Sequence, residues 1–347
     1  MRLSSLQFLR AIAAWLVVFH HYSQVVFDND MSASVLGSGF GHFFHYYGKL
    51  GVDIFFVISG FIMFYSLNNN KDRSPQIFLI HRVIRVVPVY WFYTFLLVVI
   101  SLFSFIEVKT EFTAISLFKS LFFIPHDNPS EQLGTFPFLT VGWTLNFEMF
   151  FYVLLASMLF LFKKKAEFFT FFALIILPIF WGELYLLGFK NILVSPYLFE
   201  FAIGLLIGNF YCNVEYYPKN NNFIAMVFYV LAFSILYKYG PQEQKYISVT
   251  FIVIATLCIK NSIFNNWFGK FICELGNISY STYLVHVIIL ILLINFIGKS
   301  PSLVYELIMI PLYISGVYLC SVLSHKNLEV GAFNNYLKNY FYQLFKL

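Results

Sequence analysis

Charge is scarce in this sequence. Only 11% of its 347 residues are Asp, Glu, Lys or Arg, while 60% are hydrophobic and mean hydropathy is +0.75. A soluble domain of this length must cover its outside with polar groups, so the composition excludes one. Cysteine is equally sparse: Cys212, Cys258, Cys273 and Cys320 show neither CxxC pairing nor a histidine at ligand spacing. That argues against a disulfide framework and a zinc site, and no metal is expected. The net charge of +5 is scattered over loops, which leaves nucleic-acid binding without support. The out/in alternation of a membrane β-barrel is missing. So is a small-residue cleavage site after the first apolar stretch, and that stretch carries Arg10, His20 and His21. Residues 6 to 26 therefore read as a retained span and not as a removed leader. Neither an internal repeat nor an appended soluble domain is visible, so residues 1–347 read as a single membrane-embedded domain.

What the chain does have is a succession of apolar blocks, each long enough to cross about 30 Å of hydrocarbon. Helices are the expected form, because each satisfies its own backbone in lipid. The 46 Phe and 24 Tyr suit lipid-facing surfaces and interfacial belts. The fold expected is all-α, a polytopic integral membrane protein of about ten transmembrane helices. The spans are approximately 6–26, 47–67, 84–106, 144–162, 168–187, 193–211, 223–239, 246–260, 278–297 and 303–323. The apolar segment 111–124 is too short to cross and is expected to be interfacial or re-entrant. With the N-terminus in the cytoplasm, Lys and Arg divide about two to one in favour of the inner side, the Lys163-Lys164-Lys165 loop contributing most. Both termini are then cytoplasmic.

Against this background the ionisable residues inside spans stand out, since each costs about 2.5–3.5 kcal/mol at the centre of a helix on insertion scales. Arg10 and His21 are eleven residues apart, about 1100° of helix rotation, so both project from one face, separated by about 16 Å along the axis. Arg82 and Arg85 share a face at the cytoplasmic mouth of the third span, where two guanidiniums suit a phosphate. Asp53 lies about two turns inside the second span and needs a partner. Trp143 and Glu148 open the fourth span, and Glu148 beside His21 could orient or protonate a reacting group. Ser279, Tyr283 and His286 fall on one face of the ninth span. Each has a purely structural alternative: a snorkelling arginine, an interfacial anchor, a wet carboxylate, a packed histidine.

Four blocks carry a resemblance. They are Leu9-Arg10 through His20-His21, Gly51-Val-Asp53-Ile-Phe-Phe-Val-Ile-Ser-Gly60, Arg82-Val-Ile-Arg85 with Pro88, and Gly276-Asn-Ile-Ser-Tyr280-Ser-Thr-Tyr283-Leu-Val-His286. In this order they resemble the bacterial acyltransferase-3 family of membrane acyltransferases, and Trp143 to Glu148 with Phe151-Tyr152 is similar to its fourth-span motif. Spans five to eight match only as hydrophobic helices. The family pattern places ten residues between the first-span arginine and histidine, which selects His21 over His20. The resemblance implies transfer of an acyl group, commonly acetyl, from a coenzyme A thioester to a sugar hydroxyl of O-antigen, exopolysaccharide, peptidoglycan or a small lipid-linked glycan.

On that reading His21 is the general base, with Glu148 or Asp53 orienting it; a covalent acyl-histidine is the runner-up chemistry. Arg82 and Arg85, with Arg10, hold the donor phosphates, and Trp143, Ser279, Tyr283 and His286 line the site. No tightly bound cofactor is expected; acetyl-CoA or another acyl-CoA is a substrate. The expected partners are the acceptor polysaccharide, the lipid bilayer and polysaccharide-assembly proteins. The expected location is the bacterial cytoplasmic (inner) membrane. An SGNH esterase-like domain, which some members carry, is not expected in this chain. A transporter or flippase for a lipid-linked glycan or a proton-coupled solute is the alternative class.

Overall fold

The structure is a computed structural model that describes residues 3–27, 38–70, 73–130, 133–180, 195–215, 217–300 and 302–345. Residues 181–187 of the fifth expected span, the first two residues of the sixth, and Arg2, Lys71, Lys190 and Lys346 of the charge count lie outside them. Every regular element among the described residues is helical. Six helical stretches among them are long and apolar enough to cross a membrane: Gly39–Asn69, Pro75–Ser101, Thr140–Ile179, Asn222–Glu243, Ser279–Ile297 and Leu303–Leu344. The count differs from ten for stated reasons. Thr140–Ile179 holds two expected spans joined by a turn at Lys163–Lys165, and Tyr197–Asn213 (17 residues) and Lys245–Cys258 (14 residues) are shorter. The first helix covers its expected span but, with Arg10 and two histidines, is not among the six.

By compactness the chain divides into two units: Met1–Asn68, Ile203–Tyr283 and Gly298–Gly316 in the first, Asn69–Ala202, Leu284–Ile297 and Val317–Leu347 in the second. The first unit is built around α1 (Ser4–Val26), α2 (Ser38–Tyr47) and α3 (Leu50–Asn69). Lipid tails are as apolar as leucine, so helices here associate through close packing and not through escape from water. Gly51 of α3 meets the backbone of α1 so closely that a Cβ would lie 2.2 Å from the Ala13 carbonyl oxygen. The same device joins α3 to α8 (Tyr197–Asn213), where a Cβ on Gly204 would lie 2.1 Å from the Val57 carbonyl oxygen and 2.8 Å from Gly60 Cα. Around these contacts Leu9, Ile54, Ile58, Phe61, Ile207 and Val253 form a closed core. Val253 belongs to α10 (Lys245–Cys258), which follows α9 (Asn222–Glu243) after a kink at Gly240-Pro241. A short amphipathic helix, α11 (Trp267–Asn277), packs its buried face on α1.

The second unit is centred on α4 (Pro75–Ser101). Its start is nine residues earlier than expected, because Ser74 caps the helix by accepting the Ile77 N–H and Pro75 occupies the first turn, where its missing N–H costs nothing. Arg82 and Arg85 consequently sit about two and three turns after the helix start. The interfacial segment forms α5 (Ala114–Leu121), which docks on α4 through hydrogen bonds from Tyr90 Oη to the Ser120 carbonyl (3.2 Å) and from Trp91 Nε1 to the Leu121 carbonyl (2.8 Å). The hairpin of α6 (Trp143–Phe162) and α7 (Ala166–Phe180) packs on α4. An ion pair between Arg73 and the buried Glu167 ties the starts of α4 and α7 to one end. The charge count assigns Arg73 and the Lys163–Lys165 turn to one side as well.

The last span is followed, in this unit, by a helix that hydropathy did not reveal, Ala332–Phe345. It runs beside the first turns of α4, with His81 Nε2 2.5 Å from Tyr342 Oη and Asn334 donating to the Ile84 carbonyl at 3.5 Å. Before it in sequence come α12 (Ser279–Ile297) and α13 (Leu303–Ser324).

Candidate active site

In the first unit, α1 presents Arg10 and His21 from one face, three turns apart. Arg10 Nη1 donates to Gln7 Oε1 at 3.4 Å. His21 Nδ1 lies 3.0 Å from the Val17 carbonyl oxygen, one turn back. A carbonyl can only accept, so Nδ1 is the protonated nitrogen and Nε2 carries the lone pair of the neutral ring. The neighbouring His20 is committed elsewhere: its Nδ1 meets the Phe44 carbonyl of α2 at 3.2 Å, and its ring lies 5.8 Å from that of His45. Phe19, Phe40 and Phe44 complete that aromatic contact between α1 and α2.

Asp53, 3% exposed, is paired with Lys245 Nζ of α10 at 2.5 Å. The expectation of a partner for this carboxylate is met by Lys245. Lys245 also lies 5.3 Å from the Tyr246 ring. Lys245 is a residue that hydropathy overlooks, since it stands at a helix start beside Gln244, where a polar pair reads as a turn. Ser279 and Tyr283 begin α12 and are buried, the Tyr283 ring 6.2 Å from Phe55. The Ser279 hydroxyl is buried with no hydrogen-bond partner among the described residues.

The second unit holds the other set. Arg82 extends across two aromatic faces, its guanidinium carbon 5.5 Å from the Phe78 ring centre and 5.9 Å from that of Tyr152. Its Nε is buried without a hydrogen-bond partner among the described residues. Tyr152 stands one turn beyond Glu148 on α6 and donates its hydroxyl to Glu148 Oε1. Glu148, Tyr152 and the exposed Arg85 are all within electrostatic range of Arg82. The structure thus brings Arg82, Arg85 and Glu148 into one cluster. Tyr152 is a member that the fourth-span motif contains, and its i+4 spacing from Glu148 could have singled it out. Trp143, at the start of α6, packs among Phe136, Phe147 and Tyr197, its ring 5.2 Å from that of Tyr197. His286 is fully buried in α12.

The four cysteines are free thiols, and burial pushes that of Cys273, on α11, up from its ordinary range. Chemically, then, the first unit offers an imidazole with a defined basic nitrogen, and the second offers a cationic pair beside an acid.

Comparison with known proteins agrees with the motif order. The acyltransferase domain family matches residues 3–325. The exopolysaccharide production protein ExoZ of Rhizobium meliloti (strain 1021) is 36% identical over 176 residues, covering 49% of this chain. The match spans 53% of that protein, about half its length. No solved structure matches the chain. With the family match running across nearly all of the helices described above, the chain belongs to the acyltransferase-3 family of membrane-embedded acyltransferases.

Proposed function

We propose that this chain is an O-acyltransferase of the bacterial cytoplasmic membrane that moves an acyl group, in the first instance acetyl, from acyl-CoA to a sugar hydroxyl of a surface polysaccharide or its lipid-linked precursor. The observation that carries this reading is the His21 tautomer: Nδ1–H donates to Val17, so Nε2 is the nitrogen able to take a proton. In the proposed step Nε2 takes the proton of the acceptor hydroxyl, whose oxygen attacks the thioester carbonyl. The C–S bond breaks as the ester C–O bond forms, and the imidazolium returns its proton to the departing CoA thiolate.

Arg82 and Arg85 take the donor phosphates. Arg82 suits this role because aromatic faces pack against its guanidinium and its Nε is buried with no hydrogen-bond partner among the described residues, which leaves a donor for a phosphate oxygen. Glu148 is the acid–base partner. Asp53, held by Lys245, positions α3 without entering the chemistry. Trp143, Ser279, Tyr283 and His286 line the site in this reading, and Arg10 assists donor binding. The likeness to a protein of exopolysaccharide production points to a polysaccharide acceptor.

The test is direct. Surface polysaccharide from a strain lacking this protein should lose O-acyl groups, and purified protein should exchange or hydrolyse acyl-CoA. Full acylation in the deletion strain together with inert purified protein would sink the reading in favour of a carrier.

A further inference from the structure

The first unit contains a cavity of about 550 Å³ that the proposed chemistry does not use. Its floor is Phe8 of α1 and Phe264, whose rings lie 5.3 Å apart. One wall is α9, through Ala225, Met226, Tyr229, Val230 and Phe233. Phe268 of α11 lies on the other side. The volume is in the range of pockets that hold one small ligand.

Two properties of the walls identify the occupant. Met226, Val230 and Phe233 are more than half exposed, and together with Phe223 they form a stripe at helical spacing on a helix long and apolar enough to cross the membrane. The groove is therefore continuous with a surface whose surroundings are lipid tails, and an aliphatic chain fits it. At one end the lining turns polar. Asn222 accepts the Lys260 N–H at 3.0 Å, and Asn266 accepts the Gly269 N–H at 2.6 Å through its side chain and the Lys270 N–H at 3.0 Å through its carbonyl. Lys260 and Lys270, both exposed, thus have their backbone N–H groups on the two lining asparagines, and among the described residues no acidic residue lines the groove. The acid closest in sequence, Glu274, is one turn further along α11 and exposed. At this same end α11, too short to span, leaves Trp267, Phe268 and Phe271 exposed beside Lys270. That is the composition of a helix lying in the membrane interface.

We infer that this groove is a binding site for one anionic phospholipid, an acyl chain lying along α9 and the phosphate between Lys260 and Lys270. Because Phe8 is two residues before Arg10, the bound chain braces the turn of α1 that precedes the Arg10–His21 face.

Native mass spectrometry of the full-length protein, released from mild detergent after delipidation and titration with phosphatidylglycerol or phosphatidylcholine, tests this. One phosphatidylglycerol is expected to be retained in preference to phosphatidylcholine and to raise the melting temperature. Met226→Trp, which fills the groove from an exposed position, should weaken that binding about tenfold or more, as displacing two or three methylenes from an apolar wall predicts. The matched substitution Leu231→Trp, on the same helix away from the groove, should leave it unchanged and controls for folding. Lys260→Gln with Lys270→Gln should abolish the preference for the anionic head group. Retention that is equal for both lipids, or unaffected by Met226→Trp, overturns the proposal. Recovery of a polyisoprenyl phosphate in place of a phospholipid from the untreated protein overturns the choice of occupant.

Discussion

In the first unit Asp53 is closed off by Lys245, 192 residues further along the chain, whereas in the second Glu148 is met by Tyr152, one turn away on its own helix. The first arrangement consumes both charges. A carboxylate and an ammonium at 5% and 16% side-chain exposure neutralise one another, and what they supply is position: α3 is tied to the start of α10. In the second arrangement a phenol meets one carboxylate oxygen, and Arg82, within electrostatic range of that acid, rests on aromatic rings. The two acids thus differ in what meets them: an ammonium for Asp53 and a phenol for Glu148.

The largest effect expected is at His21. His21→Ala should lower acyl transfer by about 10²–10⁴-fold, the usual contribution of a general base. His20→Ala, which removes its contacts with α2 and with the edge of the His21 ring, should leave most of it. Acetate incorporation into surface polysaccharide at matched expression separates them; activity lost in the His20 variant and kept in the His21 variant reverses the assignment.

Next comes the scaffold pair. Asp53→Ala or Lys245→Ala leaves an uncompensated buried charge, a loss of about 3–5 kcal/mol, whereas Asp53→Leu with Lys245→Met together should recover most of it. Thermal unfolding in detergent across this double-mutant cycle gives the coupling. If the double variant is stable yet inactive, Asp53 belongs with the chemistry and the comparison between the units fails.

Arg82→Ala should raise the acyl-CoA Kd by about 10–100-fold, corresponding to one charge-assisted hydrogen bond at about 1.5–3 kcal/mol. Arg82→Lys should restore only part, because a point charge cannot offer the fork geometry of a guanidinium. Donor affinity unchanged by both substitutions removes Arg82 from the phosphate site.

Much of this arrangement was legible before any coordinates. The spacing of Arg10 and His21 placed them on one face of what is a continuous helix, and Gly51 and Gly60 marked the close contacts that α3 makes with α1 and α8. Hydropathy found the apolar middles of helices and misjudged ends that carry charge. The start of α4 was signalled by Ser74-Pro75, a capping pattern that a hydrophobicity window passes over. The helices Trp267–Asn277 and Ala332–Phe345 were missed because each is only half apolar and too short or too polar to register as a span. Lys245 could not be paired with Asp53 from sequence, since nothing local connects residues that far apart. The link between Tyr152 and Glu148 was local, and the i+4 rule would have found it.

That local link gives the smallest and most discriminating prediction. Tyr152→Phe keeps the ring under Arg82 and deletes only the hydroxyl that Glu148 accepts. The loss of one hydrogen bond to a charged group is worth about 1.5–3 kcal/mol at most, and less where the carboxylate finds water instead. If Glu148 acts in proton transfer, kcat should fall about 3–30-fold and the pH dependence of kcat should move, while acyl-CoA affinity stays within about twofold, since the cation–π contact survives. Tyr152→Leu removes the ring as well and should weaken donor binding in addition. A Tyr152→Phe variant that loses donor affinity but keeps kcat and its pH profile would mean that the hydroxyl serves Arg82 through Glu148. The acid of the second unit would then be scaffolding, like that of the first.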